Sequence, residues 1–249
     1  MTYDPLKVAA QLERIVMKDD ARKYYRFRAD RWYGGIATAD CVGCPLRCVF
    51  CWSGFPRDRP KEAGEFHTPE DVFDHLDLIA QKRGFEQLRV SGNEPTLGRE
   101  HLLEVLKLVD QTDYSFILET SGILIDADYA ESLSIFKNVH VRVSLKGATS
   151  EEFSMLTGAT PESFELQLNA LTHCLDASVS VHPSAMLSFS PQENIQKLLD
   201  RLDEFQPHLS KRLEAEYVIM YPNVKKRLKA AGVKPRMAYA PSGVPLELI

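Results

Sequence analysis

Short apolar runs rich in β-forming residues recur along the chain, with stretches of helical periodicity between them. The runs are Gly34–Ala39, Gln87–Gly92, Ser115–Gly122, His140–Gly147, Ser178–Leu187 and Glu216–Pro222. Each reads as one strand. The helical stretches carry their own punctuation. In Thr68–Gly84, Thr68 is placed to cap, Pro69 stands at the first helical position, acids fill the first turn and Gly84 follows the end. Residues 190–205 open the same way, with Ser190 as the expected cap and Pro191 next, and so do residues 160–175, with Thr160 and Pro161. Residues 99–110 and 126–136 read as two further helices.

Strand and helix alternate about six times, which predicts parallel β/α units joined by right-handed crossovers. A full eight-unit barrel needs about 250 residues, and here the first strand begins only at Gly34. Six units therefore fit better. The predicted fold is α/β, a partial (β/α)6 TIM-like barrel with an N-terminal helical segment; a doubly wound sheet is the alternative. One domain is expected over residues 1–249, with a helical extension (1–32), a barrel core (33–222) and a basic C-terminal tail (223–249). In either architecture the site forms at the C-terminal ends of the strands. A cysteine-rich loop follows the first run, SGNEPT the second and YPNVKK the sixth, while ETSG ends the third and SLKG the fourth. All of these polar segments fall on one rim.

Composition narrows the class. Hydrophobic residues are 44% and charged residues 26%, ordinary for a globular chain that needs no staples. The N-terminal stretch is charged throughout, and no run approaches the ~18 apolar residues of a membrane span, so no membrane contact and a cytoplasmic location are expected. The net charge of −5 is uneven. Both ends are basic and the middle is acidic, so the ends could border one site for an anionic substrate. Lys225–Arg236 is the best candidate for such a patch.

Four of the five cysteines lie in CVGCPLRCVFCW, as Cys41, Cys44, Cys48 and Cys51. Clustered thiols do not resemble a secreted disulfide framework; they suit metal. As four ligands they could hold zinc or an all-cysteine cluster, but zinc ribbons separate their two knuckles by about 15–20 residues. As three ligands, Cys44, Cys48 and Cys51 form C-x3-C-x2-C, and Cys41 becomes a spare core residue, as Cys174 is.

CPLRCVFC resembles the signature of the radical S-adenosylmethionine (SAM) superfamily. The resemblance implies a [4Fe–4S] cluster on Cys44, Cys48 and Cys51, with SAM on the remaining iron. It also implies reductive cleavage of SAM to a 5′-deoxyadenosyl radical, hydrogen abstraction from a substrate, and an electron donor such as flavodoxin or ferredoxin. Phe50 would lie beside the SAM adenine. SGNEPT resembles the family's Gly-Gly-Glu-Pro segment, which implies Gly92, Asn93 and Glu94 around the SAM ammonium group. Asn93 takes the second glycine's place, where a tolerance for left-handed backbone would serve. LETSG implies Thr120 and Ser121 near the ribose or carboxylate, and RVSLKG implies Ser144 at the ribose and Lys146 at the carboxylate. His182 could face the lumen. The passage after the fourth strand and the last strand resemble glycyl-radical-enzyme activating enzymes, although Tyr221 and Asn223 stand where those enzymes have a histidine. CVFCW, with Trp52, resembles wyosine-pathway enzymes. The substrate is thus expected to be a protein or peptide, a tRNA or a small molecule. A zinc or nucleic-acid-binding module using all four cysteines is the non-enzymatic alternative.

Overall fold

A computed structural model describes residues 2–245. The chain opens with helix α1 (Pro5–Val16), capped by the Asp4 side chain, which accepts from the Leu6 N–H. Strands β1 (Met17–Lys18) and β2 (Ala21–Asp30) follow, then β3 (Ile36–Cys41), α2 (Gly54–Asp58), β4 (Glu65–His67) and α3 (Pro69–Arg83). The regular alternation comes next: β5 (Gln87–Ser91), α4 (Arg99–Val109), β6 (Ser115–Thr120), α5 (Ala127–Ser134), β7 (Val139–Leu145), α6 (Ser150–Thr157), α7 (Phe164–Asp176), β8 (Ser180–Met186), α8 (Gln192–Phe205) and β9 (Glu214–Glu216). A small parallel pair, β10 (Val218–Ile219) with β11 (Ala238–Tyr239), flanks α9 (Pro222–Ala230).

The six strands β3, β5, β6, β7, β8 and β9 pair in that order, all parallel. The sheet is not closed, so this is the expected partial (β/α)6 barrel. Its strands alternate strictly. Ala37, Ala39, Leu88, Val90, Val141 and Val143 point outward and are fully buried under the helices. Thr38, Asp40, Arg89, Glu119, Arg142 and Ser184 point inward and line a polar lumen. Period-two alternation makes both faces from one strand.

The N-terminal extension is helical only over its first half. Residues 21–30 form β2, which adds antiparallel to β3, carries β4 on its opposite edge at Arg22–Tyr24, and pairs with β1 at Ala21 and Arg22. In ARKYYRFRAD the inward positions Arg26, Arg28 and Asp30 are charged, so an alternation that builds a strand reads locally as solvated surface. Phe27, on the outward face, stacks on His75 of α3 with ring centroids 4.3 Å apart.

Caps divide as physics requires. Thr68 and Asp71 form the full reciprocal capping box of α3, and Gly84 ends it in the left-handed region. Ser190 does not cap α8. Its hydroxyl donates instead to Glu152 at 2.6 Å, and the cap position is Pro191. Thr160 and Pro161 open a short 3-10 turn before α7. The expected tail, from 223 on, includes most of α9 and β11; residues 246–249 lie outside the described residues.

Candidate active site

The cysteine loop leaves the end of β3 and is held from below by α6. Arg47 N–H donates to Thr157 O at 3.3 Å, and Val49 N–H to Leu156 O at 2.9 Å. Arginine side chains close the loop from inside: Arg47 donates to Cys44 O and the buried Arg57 to Cys48 O, each at 2.6 Å. Cys48 is buried, while Cys44 and Cys51 are half-buried. Burial raises the Cys44 thiol well above the usual range, and Glu94, Cys48 and Cys51 add to the effect. Burial pushes Cys48 up to about 11, with Cys51 adding and Lys146 and Arg57 opposing.

The three thiols therefore feel one another. Cys41 does not belong with them. It is fully buried at the end of β3, opposite Tyr24 in the register, and the charges around it are Arg22, Glu94 and Asp40. Among the described residues, no three Cys, His, Asp or Glu side chains converge tightly enough for a single metal ion. A cubane spreads its thiolates over separate irons, and Cys44, Cys48 and Cys51 lie on one loop in the spacing that such a group takes.

The N-E-P turn faces this loop from the end of β5. Gly92 has φ +97°, and a Cβ there would lie 2.9 Å from Asp40 Cα and from Cys41 N. Only glycine allows β5 to end so close to β3. Asn93 keeps a negative φ, so backbone tolerance is not its contribution. Its side chain staples both ends of the cysteine loop instead. Oδ1 accepts from Gly43 N–H at 3.0 Å, and Nδ2 donates to Ser53 O and Oγ at 3.2 Å.

Glu94 is only 1% exposed. Its carboxylate accepts from Thr96 Oγ1 (2.7 Å), Thr120 Oγ1 (2.6 Å), Ser121 N–H (2.9 Å) and Ser121 Oγ. Glu94, Thr120 and Ser121 are thus brought together, with their hydrogen-bonding capacity directed at each other. Beneath the turn, buried Arg22 of β2 donates to the carbonyls of Glu94 (2.6 Å), Pro95 and Leu97. Arg22 has no signal in the sequence; it sits 72 residues from the carbonyl it meets first.

Ser144 and Lys146 meet at the end of β7. Lys146 Nζ donates to Ser144 Oγ at 2.5 Å, and Ser144 Oγ donates to Glu216 at 2.8 Å. Gln167 of α7, fully buried, accepts from Lys146 N–H and donates to the carbonyls of Ser121 and Ser144, tying β6 to β7. Deeper in the lumen Arg142 bridges Glu214 and Glu216 at 2.6 Å, and Arg89 bridges Asp30 (2.6 Å) and Glu119 (2.9 Å). Burial alone would raise the Glu119 carboxyl, but Arg89 and Arg142 hold it down at about 2. Burial would likewise raise Glu214, but Arg142 and His182 hold it down at about 2. His182 does face the lumen, 2.6 Å from His140 and 3.2 Å from Glu214. The sequence placed the sixth strand at Glu216–Pro222, but the last barrel strand is β9 (Glu214–Glu216), so the lumen role of Glu214 was missed.

Phe50 packs on Phe189, beyond β8, with centroids 5.8 Å apart. Trp52 is 43% exposed at the mouth. Arg26 and Arg28 of β2 lie 5.5 and 5.9 Å from its ring, and Asn223 of α9 donates to its carbonyl at 3.0 Å. The two basic ends of the chain meet there.

Residues 40–204 match the family model of the radical SAM superfamily. Among curated proteins, the chain is 27% identical over 165 residues to an Fe-coproporphyrin III synthase of Methanosarcina barkeri, covering 65% of this chain and 39% of that one. It is 23% identical over 228 residues to a probable GTP 3′,8-cyclase of Saccharolobus islandicus, covering 83% and 70%. The chain thus spans well under half of the first of these relatives. Among solved structures, Streptococcus suis SuiB bound to S-adenosylmethionine is similar with a TM-score of 0.58 and 18% identity, over 80% of this chain and 48% of that one. SuiB bound to its precursor peptide SuiA is similar with a TM-score of 0.56 and 20% identity, over 69% and 36%. The family's cofactors are a [4Fe–4S] cluster and SAM, and Cys44, Cys48 and Cys51 carry the spacing that fits that cluster. With the signature loop, the parallel sheet and the family match in agreement, the chain belongs to the radical SAM superfamily.

Proposed function

We propose that this chain cleaves SAM reductively and uses the resulting radical to take hydrogen from a peptide or protein substrate. The observation that carries the reading is the sorting of the cysteines: Cys44, Cys48 and Cys51 lie together on the loop and act on one another, and Cys41 is fully buried at the end of β3. When bound, the cluster and SAM supply an electron and a 5′-deoxyadenosyl radical. The chain's residues hold and shield. Asn93 fixes the ends of the cysteine loop, Glu94 and Arg22 shape the turn facing it, and Lys146 offers a cation for a carboxylate. Gly92, Asn93 and Glu94 present backbone to the SAM ammonium group; Thr120, Ser121 and Ser144 stand along the ribose side; Phe50 borders the adenine. A flavodoxin or ferredoxin donates the electron.

A polymeric substrate is supported by the mouth. Trp52, Phe55 and Tyr221 are exposed by 43%, 59% and 38% beside the loop and α9, and exposed aromatics of this size grip extended partners. SuiB, similar in fold, is known in complex with a peptide. A tRNA is the second reading, favoured by the meeting of both basic ends at Trp52.

Anaerobic reconstitution tests the core of the proposal. The chain should take up about four irons and lose them in Cys44→Ala, Cys48→Ala and Cys51→Ala but not in Cys41→Ala. A colourless chain with one zinc would overturn it. Release of 5′-deoxyadenosine from SAM, stimulated by peptides but not by tRNA, would separate the two substrate readings.

A further inference from the structure

Cations near the lumen mostly have carboxylate partners. Arg26 and Arg28 bridge Asp40, Arg57 bridges Asp58, Arg89 bridges Asp30 and Glu119, and Arg142 bridges Glu214 and Glu216. Three cations around the cysteine loop differ. Among the described residues, Arg47, Lys146 and Arg227 form no salt bridge at all. They turn to the loop and its floor instead. Arg47 donates to Cys44 O, Lys146 to Ser144 Oγ, and Arg227 Nε to Val49 O at 3.3 Å. Arg227 comes from α9, 178 residues away from its acceptor. Its guanidinium fills the space that a Cβ on Gly54 would take. Its second terminal nitrogen is buried with no hydrogen-bond partner.

All three are half-buried, and Lys146 shares the Ser144 hydroxyl with the Glu216 carboxylate, which offsets part of its charge. The buried, unpartnered guanidinium nitrogen of Arg227 is unfavourable and calls for an anion. The reading that Cys44, Cys48 and Cys51 hold a cluster supplies one. A cubane core of charge +2 with three thiolates carries −1, and reduction by one electron makes it −2. Each cation nearby whose charge is not fully offset favours the more negative state. We propose that Arg47, Lys146 and Arg227 form a cationic collar that holds this cluster and raises its reduction potential, with Arg227 as the member contributed by the C-terminal helix. The collar acts on the ease with which the cluster accepts its electron. Arg227 is therefore a tuning residue, not one that touches substrate.

The proposal rests on the cluster reading, and one experiment separates the two. The full chain is reconstituted anaerobically without SAM and titrated potentiometrically, following the iron–sulfur absorbance and the electron paramagnetic resonance of the reduced state. Arg227→Met keeps the stem and removes the charge. It should shift the reduced-to-oxidised ratio at fixed potential about tenfold toward oxidised, a midpoint about 59 mV lower for a one-electron couple. Arg47→Met should shift it the same way, Arg227→Lys should hold within a quarter of that change, and Arg201→Met on exposed α8 should leave it in place. Loss of iron in Arg227→Met but not in Arg227→Lys also supports the collar. Unmoved midpoints in both Met variants overturn it, and so does an Arg227→Lys variant as impaired as Arg227→Met, because shape rather than charge would then be the cause. A wild-type chain that assembles no chromophore sinks the cluster reading and the collar with it.

Discussion

Glu94 offers the sharpest single-residue prediction. Its carboxylate accepts on one oxygen from the Thr96 and Thr120 hydroxyls and, at 3.3 Å, from the Thr96 N–H, and on the other from the N–H and hydroxyl of Ser121. Hydroxyls can rotate, but a backbone N–H cannot. In Glu94→Gln the amide oxygen therefore faces Ser121, whose N–H makes the shorter contact, and the amide nitrogen faces the threonines, whose hydroxyls turn to accept. The long Thr96 N–H contact is lost, and each of the others loses its charge assistance. Hydrogen bonds to charged groups contribute about 1.5–3 kcal/mol and neutral ones about 0.5–1.5. Set against the relief of burying no charge, the net loss is about 2 kcal/mol. Glu94→Ala removes every acceptor and leaves the buried Ser121 N–H unpaired, so the loss rises to about 4 kcal/mol. In a chain of this size, each kcal/mol moves Tm by about 2–4 °C. Thermal and urea unfolding of the three proteins, without cofactors, reads the series directly. An alanine variant destabilised by less than about 1 kcal/mol, or a glutamine variant as damaged as alanine, would refute the acceptor arrangement.

Gly92→Ala should destabilise by about 3 kcal/mol or yield insoluble protein, since it forces a side chain into β3 at positive φ; a variant with unchanged urea midpoint would show that β5 and β3 are not in such close approach. Acid should weaken the fold in two stages. The unfolded chain takes up protons at histidine below about 6.5, whereas burial, with His182 and Arg212, holds folded His140 down at about 4, so stability falls as pH drops through that window. Glu119 and Glu214, held at about 2, add stability above about 4.3 that is lost as pH falls toward 2. Urea midpoints measured from pH 8 to pH 3 should be flat above 7 and decline below 6.5; a flat profile down to pH 4 would contradict it.

The sequence by itself determined the architecture and the place of the chemistry. Apolar runs of strand length, helices with Thr68-type caps and six alternations set the parallel sheet, because secondary-structure period and capping are properties of neighbours in the chain. The cysteine spacing, falling just past the first parallel strand, was enough to put a cluster on the rim. Tertiary structure decided what each rim residue touches. Glu94 looked like a charge for a ligand and is enclosed by Thr96, Thr120 and Ser121. Asn93 looked like a tolerant substitute for glycine and is a staple between Gly43 and Ser53. Ser190 looked like a cap and serves Glu152. Residues 21–30 were expected in a helical extension and form a strand whose charges face a lumen. Arg22 carried no signal, and Arg227 stood out only as part of the basic run 225–236, since their acceptors lie 72 and 178 residues away. A side chain's period is set within a few residues, whereas its hydrogen-bond partner is chosen by whichever strand end the fold brings within reach.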